Sequence, residues 1–136
     1  MKWGRVTVGV FLTLAAVLFM PRPTHRENSD APLIADIRSI HIAESEFFSR
    51  YGRYASLSEL GQRGIGLLGG ELAEGRSQPQ AFLLRITGSG YTIQTAPIDH
   101  GPTRFRSFYS DQTLVIRERY GSDLASESSP ELGSER

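Results

Sequence analysis

The sequence predicts an α+β domain in which a long N-terminal helix packs on a small antiparallel sheet of about four strands. Apolar residues recur at steps of three and four between residues 30 and 54, which is the period of one helical face. Between residues 81 and 119, short alternating stretches are separated by turn-like sequences, as expected for hairpins. A chain of 136 residues has room for one domain of ordinary size.

The composition limits the chemistry open to the chain. It contains no cysteine, so disulfides, thiolate metal sites and cysteine nucleophiles are excluded. Fifteen basic and fifteen acidic residues give a formal net charge of zero. Long-range attraction to a polyanion is therefore weak, and nucleic acid is not an expected partner.

The first 20 residues are typical of a signal peptide or a membrane anchor. Lys2 and Arg5 precede residues 6–20, which are apolar and carry no charge. This run is shorter than the ~20 residues that a helix needs to cross a bilayer core, but inclusion of Trp3 and Gly4 allows a marginal membrane anchor through residues 3–20. A cleaved signal peptide and an uncleaved anchor both remain open, and in either case we expect the following domain outside the cytoplasm.

A linker and the main helix follow. Residues 21–29 are polar and contain two prolines, which favours a linker. Asp30 suits the N-cap of the helix, and Pro32 fits its first turn. Gly52 can take the left-handed conformation that ends a helix. We expect the core face of this helix to consist of Ile37, Ile40, Phe47, Phe48 and Tyr51.

A short helical turn and a glycine-rich loop are expected next. Ser56 and Glu59 have the spacing of a capping box, which predicts one turn over residues 57–62. Residues 61–79 contain six glycines and are interpreted as a long loop. A phosphate-binding loop is not expected, because no Gly-Lys-Ser/Thr sequence is present and no strand precedes the glycines.

The second half of the chain predicts two hairpins. The strand candidates are residues 81–86 and 91–96, joined by Thr-Gly-Ser-Gly, and residues 104–109 and 113–119, joined by Ser-Asp-Gln. The last two strands carry several basic residues, which form either a solvated sheet face or a candidate interaction face for an anionic ligand. These residues are Arg104, Arg106, Arg117 and Arg119.

The C-terminal residues 121–136 are polar and include no aromatic side chain, which predicts a disordered tail. The expected organisation is therefore a signal or anchor, a linker, one α+β domain and a tail. The boundaries are 1–20, 21–29, 30–120 and 121–136.

Candidate catalytic and metal-binding residues are few. The three histidines are His25, His41 and His100, and none has a second histidine at helical i,i+4 spacing. No serine lies in a nucleophile-elbow sequence. We therefore predict no catalytic residue, no metal and no bound cofactor, and interpret the chain as non-enzymatic.

Two stretches resemble type IV pilins and the pseudopilins of type II secretion. Residues 51–57 read YGRYASL, similar to the exit from the helix in small bacterial pilin-like proteins. Residues 106–117 read RSFYSDQTLVIR, similar to their final hairpin, in which FYSDQTGVIR is usual. The order of elements is also that of a pilin, and the resemblance covers roughly residues 33–119.

This resemblance implies a pilin-like fold and a structural or accessory role in a type IV pilus or secretion-type system. The implied partners are other pilin-like or envelope proteins, together with the cytoplasmic membrane through residues 3–20. The implied location is the bacterial cell envelope, with an inner-membrane anchor and an extracytoplasmic domain, or the periplasm or medium if the N-terminus is cleaved. The alternative is an exported soluble binding domain of the same fold that recognises an anionic ligand on its arginine-rich sheet face.

The N-terminal sequence departs from that family. Pilins carry Gly-Phe-Thr-Leu-Ile-Glu, and prepilin peptidase cuts after the glycine. In this chain Leu14 stands in the place of the glutamate, and Pro21 and Pro23 interrupt a helix that is continuous in pilins. We therefore expect no cleavage by prepilin peptidase, and a monomer or minor accessory subunit rather than a major pilin.

Overall fold

The computed structural model of the protein describes residues 25–99 and 104–134, with side chains from Asp30 onwards. A helix packs against one face of a five-stranded antiparallel sheet, which confirms the α+β class and adds one strand to the four expected. The predicted signal or anchor, residues 1–20, lies outside the described residues. No helix of the described part is both long enough and apolar enough to cross a membrane.

The main helix, α1, spans His25–Tyr51, so it begins before the predicted N-cap. The predicted linker is therefore wrong over residues 25–29, which are helical. Asp30 lies in the second turn of α1 and therefore does not cap it; its carboxylate forms an ion pair with Arg106 of the sheet. Pro32 consequently lies inside α1, where it cannot donate to the preceding turn.

The end of α1 follows the local signals in the sequence. Gly52 has a φ of +68° and its N–H donates to the carbonyl of Phe48 at 2.8 Å, which confirms the predicted left-handed helix end. The second helix, α2, spans Leu57–Leu60. Its capping box is formed as predicted, because the Ser56 hydroxyl accepts from the Glu59 N–H and the Glu59 carboxylate accepts from the Ser56 N–H.

The predicted core face of α1 is confirmed for three of its five residues. Ile37 and Ile40 have no exposed surface and Phe47 is 4% exposed. Phe48 is 44% exposed and Tyr51 is 54% exposed, so these two assignments are wrong. Successive residues are turned by about 100° around a helix, so Phe47 and Phe48 point in different directions, and Phe48 lies beside the groove described below.

The sheet contains the two predicted hairpins, with each strand antiparallel to its neighbours in chain order. A 3₁₀ helix, Gly70–Glu74, lies within the stretch that was expected to be a plain loop. The last strand begins later than predicted, after an irregular loop over residues 112–116. The strands are β1 Arg76–Ser77, β2 Gln80–Ile86, β3 Tyr91–Pro97, β4 Phe105–Asp111 and β5 Arg117–Gly121.

One face of this sheet packs on α1 and forms the core. Directly paired residues share a face, and the pairing of Ile93 with both Leu84 and Ser110 defines the inner face. Phe108 belongs to the same face and has no exposed surface. The main members of the core cluster are Leu33, Ile37, Ile40, Phe47, Leu60, Phe82, Ile93 and Phe108.

Residues 122–134, here called the C-terminal segment, cross the outer face of the sheet. Ala125 has no exposed surface. Its N–H donates to the Ser107 hydroxyl at 2.7 Å and its carbonyl accepts from Gln94 Nε2 at 2.9 Å. The predicted disordered tail is therefore wrong over residues 121–134.

The C-terminal segment then runs along the outer edge of β5. The Pro130 carbonyl accepts from the Glu118 N–H at 2.9 Å, and the Leu132 N–H donates to the Ile116 carbonyl at 2.8 Å. Backbone hydrogen bonds of this kind do not depend on apolar side chains. For that reason, the polar composition of residues 121–136 was a poor guide to their order.

Candidate functional site

The arginine-rich face predicted from the sequence does not form. Arg106 is paired with Tyr120 across β4 and β5, whereas Arg119 is paired with Ser107. Since neighbouring residues of a strand point to opposite faces, Arg106 lies on the inner face while Arg117 and Arg119 lie on the outer face. The prediction assumed that the arginines of both strands point to the same face of the sheet. The observed register places them on opposite faces.

The arginines are also engaged within the domain. Arg106 forms ion pairs with Asp30 of α1 and with Glu118 of β5, and its Nε donates to Glu118 at 2.8 Å. The other three each contact a neighbouring group. Arg104 lies over the Tyr120 ring at 5.6 Å, Arg117 donates to the Ser129 carbonyl at 3.0 Å, and Arg119 donates to Asp123 at 2.9 Å.

A groove of about 580 Å³ opens where the outer side of α1 meets the loop between β4 and β5. Apolar and aromatic side chains form its walls, and two buried polar side chains lie at its base. We treat this groove as the candidate functional site. The walls include Ile42, Phe48, Tyr54 and Leu114, and the base includes His41 and Tyr91.

Three large apolar side chains around the groove are exposed, and we call them the groove rim. Ile42 is 69% exposed, Leu114 is 61% exposed and Phe48 is 44% exposed. Ile42 and Leu114 also line a second groove on their other side. Grouped exposed apolar side chains, unlike single ones, mark surfaces that contact other proteins or ligands.

Leu114 is held in an unfavourable backbone conformation. Its φ is +67°, and it is the one non-glycine residue with a positive φ in the described part of the chain. The left-handed conformation costs a residue with a Cβ roughly 1–2 kcal/mol. Hydrogen bonds fix the turn: the Leu114 N–H donates to the Asp111 carbonyl at 2.9 Å, and the Thr113 N–H donates to the Asp111 carboxylate at 2.8 Å.

A buried relay of hydrogen bonds lies below the rim. The Ser110 hydroxyl donates to the Val115 carbonyl at 2.8 Å, so its proton is already used. It must therefore accept from His41 Nε2–H, at 2.8 Å. When the imidazole is neutral, the other ring nitrogen, Nδ1, is unprotonated and accepts from the Tyr91 hydroxyl at 2.6 Å.

Burial favours the same protonation state. It lowers the pKa of His41, while the nearby Asp111 charge acts in the opposite direction. Because the relay joins α1 to β3, to β4 and to the loop at Val115, it fixes the position of that loop against the helix. Its effect is to hold Leu114 beside Ile42.

Glu44 lies one helical turn beyond His41 and is also fully buried. Its Oε2 accepts from the Ala55 N–H at 2.9 Å. Burial raises the pKa of Glu44 to about 7, although the bond from Ala55 acts against that shift. The carboxyl is therefore close to half-protonated at neutral pH.

The other residues that could have formed a metal site or a nucleotide-binding loop do not form one in the described part of the chain. In the part of the chain that the structure describes, no three His, Asp or Glu side chains are grouped so that they could hold a metal ion. His100 lies outside the described residues. Residues 64–69 read GIGLLG, the spacing of a dinucleotide-binding loop, but they lie between α2 and the 3₁₀ helix rather than between a strand and a helix.

Comparisons with protein-family models, with curated proteins and with solved structures find no match for this chain. The groove therefore has to be interpreted from its own residues. Sequence reasoning did not identify Tyr91, Ser110 or Leu114 as parts of one site. One signal was available, since Leu114 stands where the similar hairpin pattern has glycine, and a leucine is a costly residue at a left-handed position.

Proposed function

We propose that this protein is a non-enzymatic, pilin-like structural or accessory protein of the cell envelope, and that it contacts another pilin-like or envelope protein through the groove rim. The observation that carries the proposal is the rim itself. Ile42, Phe48 and Leu114 expose apolar surface around one groove, and Leu114 does so from a strained position. An exposed leucine in that conformation gives the folded domain no benefit of its own, so its benefit is expected in a complex.

The pilin-like part of the proposal is supported by the positions of the two similar stretches. Residues 51–57 run from the end of α1 into α2, which is the helix exit in pilin-like proteins. Residues 106–117 cover β4 and the following loop up to the start of β5, which is the final hairpin. Helix and sheet also occur in the order that the resemblance implies.

The non-enzymatic part is supported by the direction of the hydrogen bonds at the base of the groove. Ser110 is buried and its proton points to the Val115 carbonyl, so His41 does not accept it as a general base would. Glu44 is buried and bonded to Ala55. The anionic-ligand alternative has no comparable support, since its arginines lie on opposite faces of the sheet.

Site-specific photo-crosslinking tests the proposal. A photoreactive residue is placed at position 42 or 114 of the full chain, expressed in the bacterium that encodes it. Position 83 is the matched control, because Leu83 is an exposed leucine, 45%, outside the groove. We expect adducts with an envelope protein from positions 42 and 114 and none from position 83.

A second variant separates binding from folding. Leu114→Gly removes a rim side chain and places glycine at a position that glycine adopts without strain, so the domain should be no less stable. Loss of an anchoring side chain worth about 1.4 kcal/mol lowers affinity about tenfold, so the adduct from position 42 should decrease to a similar extent. Equal adducts from all three positions, or no effect of Leu114→Gly on the adduct, would contradict the proposal.

A further inference from the structure

One buried carboxyl holds the chain at the point where α1 leads into α2. Glu44 has no exposed surface, and its Oε2 accepts from the N–H of Ala55, eleven residues further along the chain. Ala55 is itself buried and belongs to residues 52–56, which we call the exit segment. Glu44 thus attaches the exit segment to α1, in addition to the contact of the Tyr54 ring with Phe48.

The second oxygen of this carboxyl is buried, and no hydrogen bond offsets the cost of removing it from water. Glu44 Oε1 has no hydrogen-bond partner among the described residues. An ionised carboxylate with one bonded and one unbonded oxygen, both removed from water, is unfavourable. This geometry explains why burial raises the pKa of Glu44 to about 7 in spite of the bond from Ala55.

The charged groups that face Glu44 from the exit segment and α2 have opposite effects on its pKa, because Glu59 raises it and Arg53 lowers it. Arg53 and Glu59 form an exposed ion pair, with Nη2 and Oε1 2.8 Å apart. Arg53, together with the Ser56 N–H, lowers the pKa of Glu59 to about 2, so Glu59 stays ionised throughout the neutral range. The ion pair therefore keeps its charge state while Glu44 titrates.

The titratable groups that face Glu44 from the sheet and from its own helix have pKa values shifted away from neutral pH. Burial, and then the charge of Glu44, raise the pKa of the Tyr91 hydroxyl of β3. Burial lowers the pKa of His41, one turn earlier on α1. Within this cluster, burial shifts the pKa of Glu44 towards neutral pH, to about 7.

We propose that Glu44 and the exit segment form a pH-operated latch. Protonated Glu44 keeps the exit segment closed on α1. When the carboxyl proton passes to solvent, an open state in which residues 52–56 leave α1 and water reaches the carboxylate becomes more favourable. The Tyr54 ring, whose centroid lies 4.8 Å from those of both Phe48 and Tyr91, belongs to the exit segment and moves with it. Opening therefore also changes a wall of the groove.

The direction of the pH dependence follows from linkage. The carboxyl has its ordinary pKa of 4.5 when exposed in the open state and a pKa of about 7 when buried in the closed state. The closed state is therefore fully favoured below pH 4.5 and loses stability relative to the open state as the pH rises towards 7. Above pH 7 the loss is complete and the pH dependence levels off.

Amide exchange in the full, isotope-labelled chain tests the latch. The protection factor of the Ala55 N–H is measured by NMR, after correction for the intrinsic exchange rate, and the side-chain carboxyl carbon of Glu44 is titrated. With those two pKa values, the Ala55 protection factor should fall about 70-fold between pH 5 and pH 8. The carboxyl carbon should titrate with a midpoint near 7.

Two variants complete the experiment. Glu44→Gln keeps an oxygen that can accept from Ala55 but cannot ionise, so Ala55 protection should not depend on pH. Glu46→Gln changes an exposed carboxyl on the same helix and should behave like the unmodified chain.

An Ala55 protection factor that is independent of pH in the unmodified chain, or a Glu44 midpoint near 4.5, would overturn the proposal. If Glu44→Gln does not fold, the titration of the unmodified chain decides the question. No partner protein is involved, so the outcome is independent of the proposed function.

Discussion

At the scale of single residues, the adjacent Phe47 and Phe48 have different surroundings. Phe47 is buried against the sheet, with the Tyr51 ring at 4.5 Å and Arg53 over its face at 5.0 Å. Phe48 points to the groove, and 44% of its surface is exposed. The two side chains therefore allow stability and surface function to be tested by the same chemical change.

Phe47→Ala should lower the free energy of unfolding by about 3–5 kcal/mol, because it leaves a cavity in the core. Phe48→Ala should cost less, since 44% of Phe48 is already exposed, but it should weaken the complex detected by photo-crosslinking. Denaturant unfolding of the two full-length variants measures the difference. Losses of similar size would show that the core boundary on α1 has been placed incorrectly.

Helical periodicity was sufficient to predict that Ile37, Ile40 and Phe47 are buried. It could not predict the role of His41, whose hydrogen-bond partners Tyr91 and Ser110 lie 50 and 69 residues further along the chain. A polar residue on an apolar helix face has no periodic signal that identifies its partner. Its role follows only from the register of β3 against β4.

At the scale of elements, the C-terminal segment acts as a partial extra strand. Its backbone bonds to Glu118 of β5 and to Ile116 just before it, and it covers Ser107 on the outer face. An uncovered sheet edge is a template for pairing with another chain. The segment thus stabilises β5 and also prevents edge-to-edge association.

Truncation after Tyr120 should therefore lower the melting temperature and promote association. The truncation removes two hydrogen bonds from arginines of β5 and four others, in which Ala125, Pro130 and Leu132 take part. At about 1 kcal/mol each, those four alone are a large part of the stability of a small domain. Thermal unfolding and sedimentation of the truncated and full chains measure both effects. A matched control removes only residues 135–136. Identical melting of the truncated and full chains would mean that the observed pairing contributes nothing.

The elements that could be predicted from sequence are those with local causes. The left-handed Gly52 and the capping box of Ser56 and Glu59 each depend on residues within one turn. The start of α1 could not be predicted, because Asp30 bonds to Arg106 on a distant strand instead of capping the helix. The out-of-phase arginines have the same explanation, since register is a property of two strands together.

At the scale of the whole molecule, the described domain has a core side and a contact side. α1 lies between them: Ile37 and Ile40 face the sheet, and Ile42 faces the groove. The hydrogen-bond relay through His41 and the bond from Glu44 to Ala55 tie this helix to the loop and to the exit segment that flank the groove. The proposed contact surface is thus connected to α1 by hydrogen bonds on both sides of the groove.

How the whole chain is processed depends on its N-terminal segment. In the proposed pilin-like interpretation, Leu14 stands in the place of the glutamate that pairs with a neighbouring subunit's N-terminus in pilins. Without that glutamate and the preceding Gly-Phe-Thr-Leu sequence, prepilin peptidase should leave the chain uncut. Pro21 and Pro23 should also uncouple an anchor from α1, since proline disrupts a continuous helix.

We therefore expect a monomer or minor subunit that joins a complex through its groove rim and does not build a filament. Expression of the full chain with and without a prepilin peptidase, followed by intact-mass measurement and electron microscopy, tests this expectation. The mass should be the same in both cases, and no filaments containing the chain should be seen.

As a control, a variant in which residues 10–14 are replaced by the pilin sequence Phe-Thr-Leu-Ile-Glu restores the motif after Gly9 and should lose mass only when the peptidase is present. A peptidase-dependent loss after Gly4 or Gly9 in the unmodified chain, or filaments containing it, would show that it assembles as a pilin does.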